Sequence, residues 1–240
     1  MVDSLWRDLE GQLLWALVAL GGALILPGRS LGERLGLGPG RLGPARLALA
    51  LAGFLALSNG VHRAIVALGL FEGTTLAEID RVVRAASPTE PFLVLLVIGL
   101  APALGEELLF RGFLLRWLAT RLPGAAAMLG SAALFGAAHL DPVHGVAAFL
   151  LGGYLGAVAW RAGSVRAPML CHAANNTLAV LGAQGIVPEL GAAGDPWLAA
   201  LALALAAVCL ALALGLLQPR TPSADPEEAD EDHASGTDRR

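Results

Sequence analysis

Two adjacent glutamates, Glu106 and Glu107, stand with Arg111 inside Leu104-Gly105-Glu106-Glu107-Leu108-Leu109-Phe110-Arg111-Gly112-Phe113, a stretch otherwise composed like a membrane span. An unpaired charge in hydrocarbon costs ~2.5–3.5 kcal/mol on insertion scales, so such residues face the bundle interior and mark a functional site. A carboxylate held there can act as a general base on water. Further along lie His139, His172 and Asn176, and the spacings are helical. Glu107 and Arg111, Phe135 and His139, and His172 and Asn176 are each i,i+4 pairs that share a helix face. In the first pair the acid is N-terminal, the better orientation for an ion pair. A histidine and an asparagine on one face supply donors for a developing oxyanion. These parts suffice for peptide-bond hydrolysis without a covalent intermediate. No GxSxG elbow and no HExxH motif is present. Cys171 adjoins His172, but neighbouring residues on a helix diverge.

Other readings compete. Glu106, His139 and His172 offer the two-histidine, one-carboxylate set of a catalytic zinc, and on the residues alone metal activation and glutamate activation of water stand near even. Taken singly, Glu107–Arg111 is a structural pair, each histidine a hydrogen-bonded packing residue and Asn176 a link between helices. A transporter with a proton relay through Glu106 and His139, and a non-catalytic immunity or scaffold protein, are further alternatives. Transporters often carry internal repeats with broken helices in both halves, and none is visible here. A buried acid, two histidines and an amide brought to one depth are an expensive set to keep for packing alone.

The elements that must position them are membrane helices. The 240 residues are 56% hydrophobic and 15% charged, with a mean hydropathy of +0.66, against ~45–50% and ~25% for a soluble domain. The expected fold is all-α, a polytopic bundle of about seven transmembrane helices over 11–28, 47–70, 91–116, 124–140, 145–161, 167–184 and 197–217. An eighth span in 70–90 would bury Glu72, Glu78, Asp80, Arg81 and Arg84, so none is expected there. The first segment lacks a basic leader and a small-residue cleavage site, so it reads as a retained span. The chain divides into N-terminal helices and loops (1–90), a core (91–184), a last transmembrane helix (185–217) and an acidic, disordered tail (218–240).

All sixteen basic residues are arginine. With the N-terminus outside, eleven lie in inner loops or the tail and three in outer segments, the bias expected of a multi-pass inner (plasma) membrane protein with a cytoplasmic C-terminus. The tail alone carries the net charge of −4, so no basic field for nucleic acid exists. In the hairpin of the third and fourth segments, Glu106 and His139 lie equally far from the turn at Leu122-Pro123, ~25 Å along each helix. Antiparallel packing would set them at one depth, with His172 ~12 Å from its own turn. Pro102 should bend the third helix and free backbone groups beside the carboxylates. Asp141 and His144 read as interfacial residues in the turn between the fourth and fifth spans.

The combination Glu106-Glu107-x-x-x-Arg111, Phe135-x-x-x-His139 and His172-x-x-x-Asn176, in this order and spacing, resembles the three motifs of the CAAX protease and bacteriocin-processing (CPBP/Abi) family. These are intramembrane glutamic endopeptidases that include the type II CAAX prenyl endopeptidases. The resemblance covers about 91–183. It implies that Glu106 activates water with help from His139, that His172 and Asn176 bind the oxyanion, and that Glu107, held by Arg111, shapes the site. It also implies no metal or other cofactor and a conical cavity facing the cytosol. The expected substrate is a protein or peptide at the lipid bilayer. Arginine-only usage points to a GC-rich bacterial genome, where prenylated CAAX proteins are not expected, so CAAX processing as such is not the expectation.

Overall fold

The computed structural model describes residues 2–28, 30–86, 91–188 and 194–215; the acidic tail, expected to be disordered, lies outside the described residues. Every described secondary-structure element is helical. The first helix, α1 (Val2–Gly22), runs into a short 3-10 turn (Ala23–Ile25), and α2 (Leu31–Arg34) is a single turn capped by the Ser30 hydroxyl. Then come α3 (Pro44–Ala67), α4 (Thr75–Ala85), α5 (Phe92–Ala119), α6 (Gly124–Ala137), α7 (Pro142–Ala162), α8 (Arg166–Ala183) and α9 (Pro196–Leu214).

Each of the seven expected segments coincides with one of these helices. Four of them, α3, α5, α7 and α9, are long and apolar enough to cross a membrane, and Leu9–Ile25 and Gly124–Ala137 are shorter apolar helices. The remaining one, α8, spends its polar residues on the site. The 70–90 region forms no span: α4 has only 11 residues, with Ala77 and Val83 buried and Asp80 paired to the exposed Arg84. It lies along the bundle, where Arg84 Nη1 donates to the Ala183 carbonyl at the end of α8.

Hydrogen bonds sort the connections onto two ends. Arg41 N donates to Ala162 O, Val165 N to Gly36 O, Ser164 Oγ to Gly38 O and Arg116 Nη2 to Gly163 O. Arg161 Nε donates to Leu214 O at the end of α9. The arginine-bearing connections therefore meet at one end, as the charge pattern predicted. At the other end α4 meets the α6–α7 turn.

Helix α3 packs along α9 and α7. Gly53 permits this closeness, because a Cβ there would strike the Tyr154 hydroxyl and lie 2.7 Å from the Cys209 Cβ. Tyr154 spends its hydroxyl on the Ala50 carbonyl at 2.9 Å, as a buried phenol must. Cys171 is fully buried in this same cluster beside Phe54, Tyr154 and Val158. It points away from His172 and serves packing.

Helix α5 is where sequence and geometry interact most. Two segments, Leu95–Leu100 and Leu108–Leu114, are wound as π-helix on either side of Ala101–Glu107. Such π turns concentrate at functional sites because they release carbonyls from the α-ladder. Pro102 has no N–H for the Ile98 carbonyl four residues earlier. Asn176 Nδ2 donates to that carbonyl at 3.4 Å, and Ser131 Oγ donates to Phe110 O at 2.8 Å. The carbonyl that Pro102 leaves without its α-helical donor is thus met by a side chain of α8, and Ser131 of α6 meets a carbonyl of the second π segment.

Candidate active site

The two glutamates of α5 have different environments. Glu107 is fully buried and accepts from Arg111 Nη1 at 2.8 Å and from His172 Nδ1 at 2.9 Å, both through Oε1. Arg111 is itself buried, donates Nη2 to Gly152 O at 3.0 Å and lies 4.5 Å over the Phe135 ring. Gly152 is needed for this contact: a Cβ there would lie 2.9 Å from Phe135 and 3.0 Å from Arg111 Nη2. The Glu107 Oε2 and Arg111 Nε atoms are buried without a protein partner.

Glu106 is less committed. Its side chain is 15% exposed, and Oε2 stands 3.9 Å from His172 Nε2, beyond hydrogen-bond length. Oε1 accepts from Gln12 Nε2 on α1 at 3.0 Å. This bond is possible because residue 105 is glycine: a Cβ there would sit 2.6 Å from the Gln12 carbonyl oxygen. Gly105 therefore lets the α1 backbone reach the carboxylate beside it. Losing a hydrogen bond to a charged group costs about 1.5–3 kcal/mol. Gln12→Leu should accordingly lower the stability of the fold by about that amount, read as a lower midpoint of thermal unfolding.

His139 lies just beyond the end of α6, one ring away from the carboxylates. Its Nδ1 is 2.8 Å from the Phe135 carbonyl, and its ring is edge-on to Phe135 at 4.9 Å. Phe135 also contacts Phe110 at 5.0 Å and His172 at 6.3 Å. This one ring joins α5, α6 and α8. A carbonyl can only accept, so the neutral His139 ring carries its proton on Nδ1 and leaves Nε2 as an acceptor. His172 donates Nδ1–H to the Glu107 carboxylate by the same logic. To donate from Nε2 as well, His172 must be doubly protonated.

Beyond His139 the chain turns sharply through Leu140, whose φ of 54° is the one positive value outside glycine among the described residues. This ends α6 at Ala137, three residues short of the expected 140. The next helix begins at Pro142 with Asp141 as its cap, so His144 lies in the first turn of α7 and not in a loop. Asp141 accepts from His144 N at 2.8 Å and from Thr75 N at 2.9 Å, capping both α7 and the start of α4. These two N–H donors, His144 first, hold its carboxyl below the ordinary range. His144 Nδ1 is 2.7 Å from Thr75 Oγ1, and its ring lies 4.2 Å from that of His139. Asp141 and His144 are thus the support behind His139, a role the reading as interfacial turn residues did not give them. An Asp-Pro pair followed by an apolar run is a helix start, and that signal was available.

Glu106, Glu107, Arg111 and His172 are in direct contact or within 4 Å of a member of the set, and His139 is joined through Phe135. Asn176 lies one turn beyond His172; Asn175 Nδ2 donates to its Oδ1 at 3.3 Å, leaving Nδ2 directed at Ile98 O. Among the described residues no three of His, Cys, Asp and Glu are close enough together to hold a metal ion. A family model described as "Type II CAAX prenyl endopeptidase Rce1-like" matches residues 88–178, the stretch that carries all three motifs. No curated protein and no solved structure matches the chain. The segment with both carboxylates, both motif histidines and Asn176 is thus similar to the Rce1-like CAAX endopeptidases, set within an all-helical chain that has four helices long and apolar enough to cross a membrane.

Proposed function

We propose that the protein is a glutamate-dependent endopeptidase acting on a membrane-associated protein or peptide. The observation that carries this reading is the division of labour between the paired acids. Glu107 is spent on Arg111 and His172, whereas Glu106 keeps an oxygen facing His172 at 3.9 Å. Glu106 takes a proton from water as the water oxygen attacks the scissile carbonyl. His139, with Nε2 as acceptor, orients the same water. The new oxyanion is met by His172 Nε2–H and by an Asn176 Nδ2–H. The proton on Glu106 then passes to the amide nitrogen as the C–N bond breaks and the oxyanion becomes a carbonyl, giving an amine and a carboxylic acid; the acid's remaining water-derived proton moves to the amine, leaving ammonium and carboxylate. Residues of this chain suffice for each proton in that sequence. Its substrates come from the bilayer surface, with the arginine-rich end and the acidic tail on the cytoplasmic side of the plasma membrane, and no nucleic acid takes part.

Removing one oxyanion donor typically lowers kcat by about 10²–10³-fold. Asn176→Ala should show that loss on a tethered peptide substrate in proteoliposomes, cleavage being read by mass spectrometry. Cleavage at the wild-type rate would overturn the oxyanion assignment. In the same assay, loss of wild-type activity to a chelator with recovery on adding zinc would overturn the metal-free mechanism and leave the protease assignment intact.

A further inference from the structure

At the arginine-rich end lies a cavity of about 500 Å³, within the range of small-ligand sites. Glu106, His139 and His172 do not line it. Arg34, Arg41, Arg111 and Arg116 do, and no acidic side chain is among the lining residues. These guanidiniums are held in place. Arg34 Nε donates to Gly28 O at 3.0 Å and its Nη1 to Leu24 O at 3.3 Å. Arg116 Nη2 donates to Gly163 O at 3.1 Å. Gly36, at φ +67°, lies so close to the Arg116 guanidinium that any Cβ would collide with it. Gly163, at φ +65°, leaves only 2.9 Å between a would-be Cβ and Arg41 Nη2. Two left-handed glycines thus make room for two of the cations.

Their hydrogen-bonding capacity is not used up. Arg111 Nε and Arg116 Nε are both buried without a protein acceptor. Fixed guanidinium forks around an acid-free hollow match the oxygens of a phosphate, which accepts several such bonds at once. The cavity also has an apolar side, formed by Leu26, Leu115 and Trp160. Arg116 is near the end of the membrane-crossing α5 and Trp160 near that of α7, the level at which aromatic and cationic side chains meet headgroups.

We propose that this cavity binds a phosphate group, the chemistry shared by anionic lipid headgroups and free phosphate. The inference stands on the arginine cavity and not on the catalytic reading. Arg111 belongs to both places, so an occupant would sit behind the Arg111–Glu107–His172 chain.

Full-length protein in detergent would be titrated separately with phosphatidylglycerol, diacylglycerol and inorganic phosphate, with binding read by native mass spectrometry and by melting temperature. Wild type is expected to bind phosphatidylglycerol or inorganic phosphate and melt higher, and to ignore diacylglycerol. Response to the lipid alone identifies a headgroup; response to inorganic phosphate identifies the free ion. Arg41→Gln, at an exposed position, should weaken the affinity by about tenfold or more, and so should Arg116→Gln. Arg121→Gln is the control, because Arg121 lies over Trp117 outside the cavity. The proposal is overturned if neither phosphate ligand binds wild type, if diacylglycerol binds equally, or if Arg121→Gln weakens binding as much as Arg41→Gln. Arg41→Gln carries the test even if Arg116→Gln does not fold.

Discussion

Glu106→Gln should leave the protein folded and lower its hydrolytic rate by about 10²–10⁴-fold, the usual contribution of a general base. The substitution keeps the shape of the side chain, and the amide oxygen can still accept from Gln12, whose Nε2 now lies 3.0 Å from Glu106 Oε1. What it removes is the ability to take a proton. The neighbouring acid cannot stand in, because Glu107 is fully buried and bound to both Arg111 and His172. A melting curve close to wild type, with turnover lost in proteoliposomes, is the expected pair of results. Wild-type turnover in Glu106→Gln with none in a folded Glu107→Gln would exchange the roles of the two acids.

Local spacing reveals a good deal in a membrane helix. In lipid, backbone satisfaction and apolar length leave few choices, so the seven segments coincide with α1, α3 and α5 to α9. The i,i+4 spacing of Glu107 and Arg111 gave their ion pair directly, because neighbours on one helix face need no knowledge of the fold. Counting residues from a hairpin turn brought Glu106 and His139 to one level, and Phe135 is the ring that joins their helices.

Contacts distant in sequence were not legible in this way. Gln12 lies 94 residues from Glu106, in a first helix whose local composition marks it only as a polar interruption. Its role depends on Gly105 allowing two backbones together, and that closeness belongs to the packed bundle. The same holds for Thr75 and Asp141, 66 residues apart. One carboxylate capping two helix starts cannot be read from either start alone. The π-helical turns of α5 were half-visible. Pro102 announced a disturbed ladder at Ile98, but that Asn176 would take that carbonyl, and that Ser131 would take Phe110 O in a second π segment, depended on α8 and α6 packing against that face.

The Glu107–Arg111 pair gives the other large effect, and here stability and activity should separate. Both side chains are buried, so removing either leaves an uncompensated charge, which costs about 3–5 kcal/mol. Arg111→Met and Glu107→Leu should each show that loss as a lower midpoint of thermal unfolding. The double variant Glu107→Leu/Arg111→Met should recover most of it, since replacing both partners of a buried pair by apolar groups is often neutral or stabilising. Summed losses in the double variant would mean that the two residues do not act as a pair. Hydrolysis should stay lost in both variants that carry Glu107→Leu, because His172 Nδ1 donates to Glu107 at 2.9 Å and leucine accepts nothing. Glu107→Gln/Arg111→Met then separates orientation from charge. Its glutamine still accepts from Nδ1–H, so the ring keeps its direction, and neither member of the pair is a buried ion. Donation from His172 to both residue 107 and an oxyanion requires the doubly protonated ring, which has a counter-charge at position 107 only while that residue is a carboxylate. A stable double variant with kcat still reduced would show that the charge of Glu107 is used in the transition state. Recovery of kcat to the wild-type level would show that Glu107 serves only to aim the imidazole.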